Sequence, residues 1–213
     1  MRAFRAQWLA YVDRQHRYPQ GFVGRVVGER MLQQHAPETD WTIGLLDLRP
    51  TDRILEIGFG AGRGLALALA HARQGYVTGI DRSATMIRAA ARRNRSALAR
   101  GQLTLLRGDI ATLPFEAARF DKLFSIHTFY FWPDPHAVCR SLVRLLARGG
   151  RLVSTFATAR QLPDGEWQYW EVHHLAKAIV EEFNQFPQIE ASLLFGPDSR
   201  QFNNVAVMID KYS

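Results

Sequence analysis

The stretch Arg53-Ile-Leu-Glu-Ile-Gly-Phe-Gly-Ala-Gly-Arg-Gly64 leaves this chain very few folds to choose from. Ile54, Leu55 and Ile57 form a short apolar run, the pattern of a strand buried on both faces inside a parallel sheet. Glycines at 58, 60 and 62 then supply a tight turn that opens the next helix, and their missing Cβ atoms would let a ligand lie against the backbone. Strand, glycine turn and helix in that order make a cofactor seat.

The dinucleotide fingerprint G-x-G-x-x-G asks for a third glycine that brings helix and strand close together. Counting from Gly58 that position falls on Arg63, and counting from Gly60 it falls on Leu65, so the register fails twice. What stands here is Glu56-x-Gly58-x-Gly60-x-Gly62, which closely resembles the first motif of class I S-adenosylmethionine-dependent methyltransferases. The resemblance implies a glycine turn around the methionine part of S-adenosylmethionine, with Glu56 anchoring its amino end through the loop. It also implies S-adenosylhomocysteine as product and a fold that is α/β and Rossmann-like. That fold has a seven-stranded, mostly parallel sheet with the last strand antiparallel and helices on both faces.

A chain of 213 residues has the size of one ordinary domain, and 47% apolar residues suit a globular core. No apolar run is long enough for a membrane span, and Arg2, Arg5, Gln7 and Asp13 interrupt the amino terminus where a signal peptide would be continuous. A cytoplasmic location is the default expectation. The lone Cys139 cannot form an intrachain disulfide, in keeping with a reducing compartment, and excludes a cysteine-based metal site. The net charge of +7 comes from 24 Arg and three Lys spread along the chain. The denser run Arg88, Arg92, Arg93, Arg95 and Arg100 lies on a predicted helix whose other side carries Met86, Ile87, Ala90, Ala91, Ala97 and Leu98, which reads as a solvated helix face.

Before the glycine loop, helical spacing predicts a helix over residues 3–17, a second carrying Val23, Val26, Val27 and Met31 that runs to about Gln34, and a third from about Glu38 to Asp47, and residues 1–49 read as an amino-terminal helical cap on a methyltransferase domain of residues 50–213. In enzymes of the resembled family such an extension often closes over the substrate. After the loop, a helix to about Arg73 leads to a second strand, Tyr76 to Ile80, with Asp81 at its end. An acid placed there accepts hydrogen bonds from ribose hydroxyls, and it follows Gly60 by 21 residues, the span of one strand-helix-strand unit. The other role open to Asp81 is capping the Arg82 to Ala99 helix, for which Ser83 serves equally well.

Leu103 to Leu106 make the third strand, followed by Gly108-Asp109-Ile110. This resembles the family's next motif, which implies Asp109 at the adenine amino group and Ile110 beside the ring. Met86 is a candidate for the adenine face, with plain core packing as the alternative. Arg82 and Ser125 complete the expected cofactor set. Leu113-Pro-Phe115, Phe120-Asp121 and Arg148-Gly-Gly150 also match family spacing. The fourth strand ends in Ser125-Ile-His-Thr-Phe-Tyr-Phe-Trp132, which should line the reaction site, because ligands bind outside the carboxyl ends of parallel strands. Enzymes that methylate nucleobase or glutamine amino groups usually carry Asn or Asp, two prolines and an aromatic here. This chain does not, and nucleic acid is not expected as a partner.

A fifth strand, Arg151 to Phe156, precedes a loop with Pro163 and Gly165, a helix Trp167 to Phe183, and an antiparallel pair, Gln188 to Phe195 and Asn203 to Ile209. Tyr18, Trp41, Tyr130, Trp132 and Trp167 are the candidates for substrate contact, since aromatic walls suit a planar or apolar metabolite. Methyl transfer from a sulfonium needs chiefly orientation, so a base is optional. His127 is the best-placed base for a phenol, hydroxyl or amine. His173 and His174 are adjacent and lack paired-ligand spacing, so no metal is expected. The expectation is therefore methyl transfer to a small acceptor at oxygen, nitrogen, sulfur or carbon, by a monomer or homodimer. The competing readings are an RNA-modifying methyltransferase, a nicotinamide-dependent oxidoreductase, and a non-catalytic S-adenosylmethionine-binding partner or sensor.

Overall fold

The computed structural model describes residues 19–112, 115–197 and 199–212. The helix expected over residues 3–17, together with Tyr18, Leu113 and Pro114, lies outside them. In chain order the elements are α1 (Gly21–Gln34), α2 (Ala36–Leu45), β1 (Arg53–Ile57), α3 (Arg63–His71), β2 (Tyr76–Asp81), α4 (Ala84–Arg93) and α5 (Arg95–Ala99). There follow β3 (Leu103–Arg107), β4 (Phe120–Ile126), a 3-10 turn (Phe129–Phe131), α6 (Pro135–Leu145), β5 (Leu146–Gln161), β6 (Trp167–Tyr169), α7 (Glu171–Phe183), β7 (Ile189–Phe195) and β8 (Phe202–Lys211).

The strands form one sheet in the order β3-β2-β1-β4-β5-β8-β7, parallel through β5, with β8 antiparallel to both of its neighbours. Successive side chains along a strand point to opposite faces, and this alternation divides the core in two. Leu55, Leu123, Leu152 and Phe156 join Leu142 of α6 and Ile179 of α7 on one face. Ile54, Phe124 and Val153 join Ile43 of α2 and Leu65 and Ala68 of α3 on the other, with Leu46 just beyond α2. The apolar run read from the sequence is thus buried on both sides, with Ile54 and Leu55 fully inaccessible to solvent.

Three expectations need correction. The sheet holds an eighth strand, because β5 runs on to Gln161 and folds back as β6, pairing Gln161 with Trp167 and Ala159 with Tyr169. Trp167 therefore sits in a strand, and the helix expected from that point begins at Glu171. The aromatic residues of Trp167-Gln-Tyr169 fit a pleated edge as well as a helix, and pairing with β5 decides between them. Finally, the Arg82 to Ala99 helix breaks at Asn94, whose side-chain amide donates to the carbonyls of Gly62 and Ala90, both at 3.1 Å. A polar side chain recruited by the glycine loop overrides the helical period.

Strand order reverses direction between β1 and β4, where β2 continues the sheet on one side of β1 and β5 beyond β4 on the other. A crevice opens at such a switch point, outside the carboxyl ends of the strands.

Candidate active site

The crevice is a cavity of about 600 Å³. Its floor is the loop after β1, its sides come from the ends of β2, β3 and β4, and its roof comes from Pro19, Gly28, Met31 and Leu32. Gly58, Gly60 and Gly62 all have positive φ, at 72°, 51° and 87°, a region in which a Cβ is strained. They do not all face a ligand. A Cβ on Gly58 would meet Thr128 Cγ2 at 2.2 Å, and one on Gly62 would meet Ala90 Cβ and Asn94 Nδ2 at 2.8 Å. Only at Gly60 among these three is nothing within 4 Å. The loop thus presents one bare backbone position to the cavity and uses the other two glycines to let helix and strand ends approach. A fourth glycine does related work, since a Cβ on Gly64 would strike the Glu56 carboxylate at 2.3 Å.

Glu56 is buried, and its Oε2 has no hydrogen-bond partner. Burial raises its carboxyl well above the ordinary range, and the nearby Asp81 charge adds to the rise. Asp81 accepts hydrogen bonds from the Gly60 amide at 3.0 Å and from the Ser83 amide at 2.8 Å, so it braces the glycine turn from across β2. Its carboxyl is raised by burial, against which these amides act. Ser83 takes the capping role on α4, accepting from the Met86 amide at 3.3 Å. Asp109 lies at the end of β3, accepts from the Ala111 amide at 3.1 Å and stands 3.7 Å from the Arg82 guanidinium. Arg82, Met86, Asp109 and Ile110 all line the same cavity.

The other end is aromatic. His127, Tyr130, Phe131 and Trp132 line it, as do His35 and Thr39 from the start of α2. His127 holds an unusual backbone, with φ 54°, while its amide donates to the Thr155 carbonyl at 2.8 Å. Its Nδ1 is 3.3 Å from the Tyr130 hydroxyl, which is itself clamped between the amide and carbonyl of Ala157 at 2.6 and 3.1 Å. Its Nε2 is buried without a hydrogen-bond partner and lies 3.9 Å from Glu38 Oε1. Burial holds the imidazole well below its ordinary pKa, with His35 and Arg200 pushing the same way.

Four candidates fall away from this wall. Ser125 is fully buried, with its hydroxyl 2.8 Å from that of Ser154, and Gly62 faces α4. Trp41 packs where Gly196 leaves room for its ring, and Trp167 belongs to β6, so neither lines the cavity. Tyr18 lies outside the described residues. His35 and Glu38 went unremarked in the sequence, although a histidine and an acid three apart at a helix start share one face.

A family model described as a methyltransferase domain matches residues 55–154, the span from β1 through β5. The chain is 32% identical over 130 residues to the uncharacterized methyltransferase YdaC of Bacillus subtilis, covering 61% of this chain and 70% of that protein. It belongs to the class I S-adenosylmethionine-dependent methyltransferases. A second relative, the 27-O-demethylrifamycin SV methyltransferase of Amycolatopsis mediterranei, is 35% identical over 54% of this methyltransferase and 42% of its own length. The fold is shared with a SAM-dependent methyltransferase from Aquifex aeolicus, at a TM-score of 0.64 and 16% identity over 86% of this methyltransferase and 97% of that one. Among the described residues no helix is long and apolar enough to cross a membrane.

Proposed function

We propose that this methyltransferase moves the methyl group of S-adenosylmethionine to a small, aromatic or apolar metabolite held in the chamber between α2 and the loop after β4. The observation that carries this reading is one cavity with two chemically different ends, acidic beside the glycine turn and aromatic beyond it. Its volume of about 600 Å³ must hold cofactor and acceptor together, which favours a compact acceptor. The relative named for 27-O-demethylrifamycin SV supports a discrete chemical acceptor over a polymer.

The residues present fit the cofactor. Glu56 offers a buried, unpartnered carboxylate oxygen to the amino group, and Gly60 offers bare backbone. Asp81 keeps lone pairs for the ribose diol while bracing the loop, and Asp109 and Ile110 flank the adenine position with Met86 over it. When bound, the sulfonium supplies an activated methyl carbon. The chain's own contribution is to bind, to orient and to exclude water, and alignment at contact distance is worth about 7 kcal/mol or more. Tyr130 and Trp132 wall the acceptor, and the described part of the amino-terminal cap covers it through Met31, Leu32 and His35.

His127 is the group at this end able to take a proton from an acceptor hydroxyl or amine, because its Nε2 keeps a lone pair and burial keeps the ring neutral. Activity that depends on it is lost only as pH falls through the lowered pKa, so the acid limb of kcat/KM lies below the ordinary histidine range near 6.5. His127→Gln is expected to remove that limb and lower kcat about 100-fold or more with cofactor affinity unchanged. An unaltered pH profile would discard the base. The function itself is tested by titration with S-adenosylmethionine and NAD, then by labelled S-adenosylmethionine with a cell extract and identification of the labelled product. Tight NAD binding without S-adenosylmethionine binding would overturn the reading. Cofactor binding with no labelled product across a broad acceptor panel would favour a sensor or partner module, and labelled RNA would favour the RNA-modifying alternative.

A further inference from the structure

Behind the aromatic end of the cavity, three side chains converge from two distant parts of the chain. His35 caps α2, Glu38 follows one turn later, and His127 leaves β4; one ligand atom from each lies within 4.8 Å of the others. Glu38 is fully buried, and its donors crowd one oxygen. The Ser199 hydroxyl, Asn204 Nδ2 at 3.4 Å and the Arg200 guanidinium at 3.2 Å all reach Oε1, while Oε2 has no partner. His127 Nε2 also lacks one, and lies 3.9 Å from Oε1 of the same carboxylate. Two buried acceptors on neighbouring side chains, each without a donor, call for a cation or a proton.

Arg200 stands in the place of that cation. Besides Glu38, its Nη2 donates to His35 Nδ1 at 3.1 Å. Arg200 and Gln201 form the tip of a tight turn between Ser199 and Phe202, at φ 52° and 67°, where glycine or asparagine is usual. A strained arginine is held against groups that also make a metal-ligand set.

The geometry points to a site for one divalent transition-metal ion, ligated by His35, Glu38 and His127, with Arg200 as the resident cation that the metal displaces. Two imidazoles and a carboxylate suit zinc, iron or cobalt, and disfavour magnesium and calcium, which take oxygen ligands. Ligand atoms around a tetrahedral zinc stand roughly 3.4 Å apart, so side-chain rotation of about an ångström closes the set. The supporting contacts are those a metal site needs. The Tyr130 hydroxyl beside Nδ1 directs Nε2 inward, and Ser199 and Asn204 fix the carboxylate through Oε1, leaving Oε2 without a partner. With the ion in place Nε2 is a ligand and cannot take a proton, so occupancy and the base role proposed above exclude each other. Only that consequence rests on the methyl-transfer reading.

The test uses the full chain stripped with a chelator and titrated with Co²⁺, with Mg²⁺ as control. One equivalent of Co²⁺ with visible d–d absorption, displaced by Zn²⁺ and indifferent to excess Mg²⁺, is expected. Glu38→Gln and His35→Ala are each expected to weaken Co²⁺ binding about 10-fold or more, and Arg200→Met to tighten it about 10-fold by removing the competing charge. S-adenosylmethionine titration of each variant checks that it is folded, and half-buried His35 serves where Glu38→Gln fails that check. Absent d–d bands, or Co²⁺ affinity equal in the parent and the folded ligand variants, would overturn the site and leave Arg200 and Glu38 a plain ion pair. Failure of S-adenosylmethionine binding in the parent would instead overturn the methyl-transfer reading and leave the metal result standing.

Discussion

Single atoms decide what the glycine turn can do. Gly60 and Gly62 are alike in sequence and both lie at positive φ, yet the first opens on the cavity and the second is pressed against α4. Gly60→Ala should therefore cost about 1–2 kcal/mol of stability from backbone strain alone, while weakening cofactor binding at the bare position. Gly62→Ala should cost more, because its Cβ also meets Ala90 and Asn94 at 2.8 Å, and should weaken the cofactor only through displacement of the loop. Thermal melts paired with cofactor titrations separate the two; equal losses of stability would refute the division of labour. The glycine spacing and its match to the family were legible in the chain. Which glycine faces the ligand was not, since that depends on Ala90 and Asn94, about thirty residues away in sequence.

At the level of elements, the seat is held by cross-braces that local pattern does not reveal. Asn94 ends α4 early to bond the Gly62 carbonyl, and Asp81 reaches from β2 to the Gly60 amide. Replacing Asn94 by Ala removes two buried hydrogen bonds, to the Gly62 and Ala90 carbonyls, which keep the Ala66 and residue-94 amides, and is expected to cost about 1–3 kcal/mol, read from urea denaturation. If the cost is below about 0.5 kcal/mol, the break in the helix has some other cause. The strands β1 to β5, β7 and β8 were readable because short runs rich in apolar residues, bounded by turn residues such as Gly and Asp, allow little else. β6 was not, because three residues at a sheet edge are defined by their partner in β5 rather than by their own periodicity.

Across the whole molecule, buried ionisable groups around one cavity oppose each other in pH. Glu56, with its pKa raised, contributes stability below the ordinary carboxylate range that is lost as pH rises through the raised value. His127, with its pKa lowered, contributes stability above the ordinary histidine value that falls away as pH drops toward the lowered one. Asp121 and Glu182, lowered by Arg53 and by His136 and Arg140 respectively despite some burial, add to the loss on the acid side. The cofactor-free protein is expected to lose stability toward both acid and alkali, with the alkaline limb, which Asp81 shares, reduced by Glu56→Gln. Saturating S-adenosylmethionine should flatten the same limb in the parent, its ammonium compensating the Glu56 charge. Melting temperatures between about pH 5 and 9 check this, and an unchanged alkaline limb in Glu56→Gln would reject it.

The sequence by itself determined the family, the parallel sheet and the cofactor class, because those rest on short-range features: an apolar run, alternating glycines, and an acid one strand-helix-strand unit further on. Tertiary structure alone decided what stands at the far end of the cavity. His35 and Glu38 precede the sheet, His127 follows its fourth strand and Arg200 sits before its last, so no local spacing relates them. They meet because α2 packs on the face of the sheet opposite α6, the chain leaves β4 beside it, and β8 returns antiparallel next to β5. Burial there strips water from one carboxylate and one imidazole, so that each depends on the neighbours the fold brings to it.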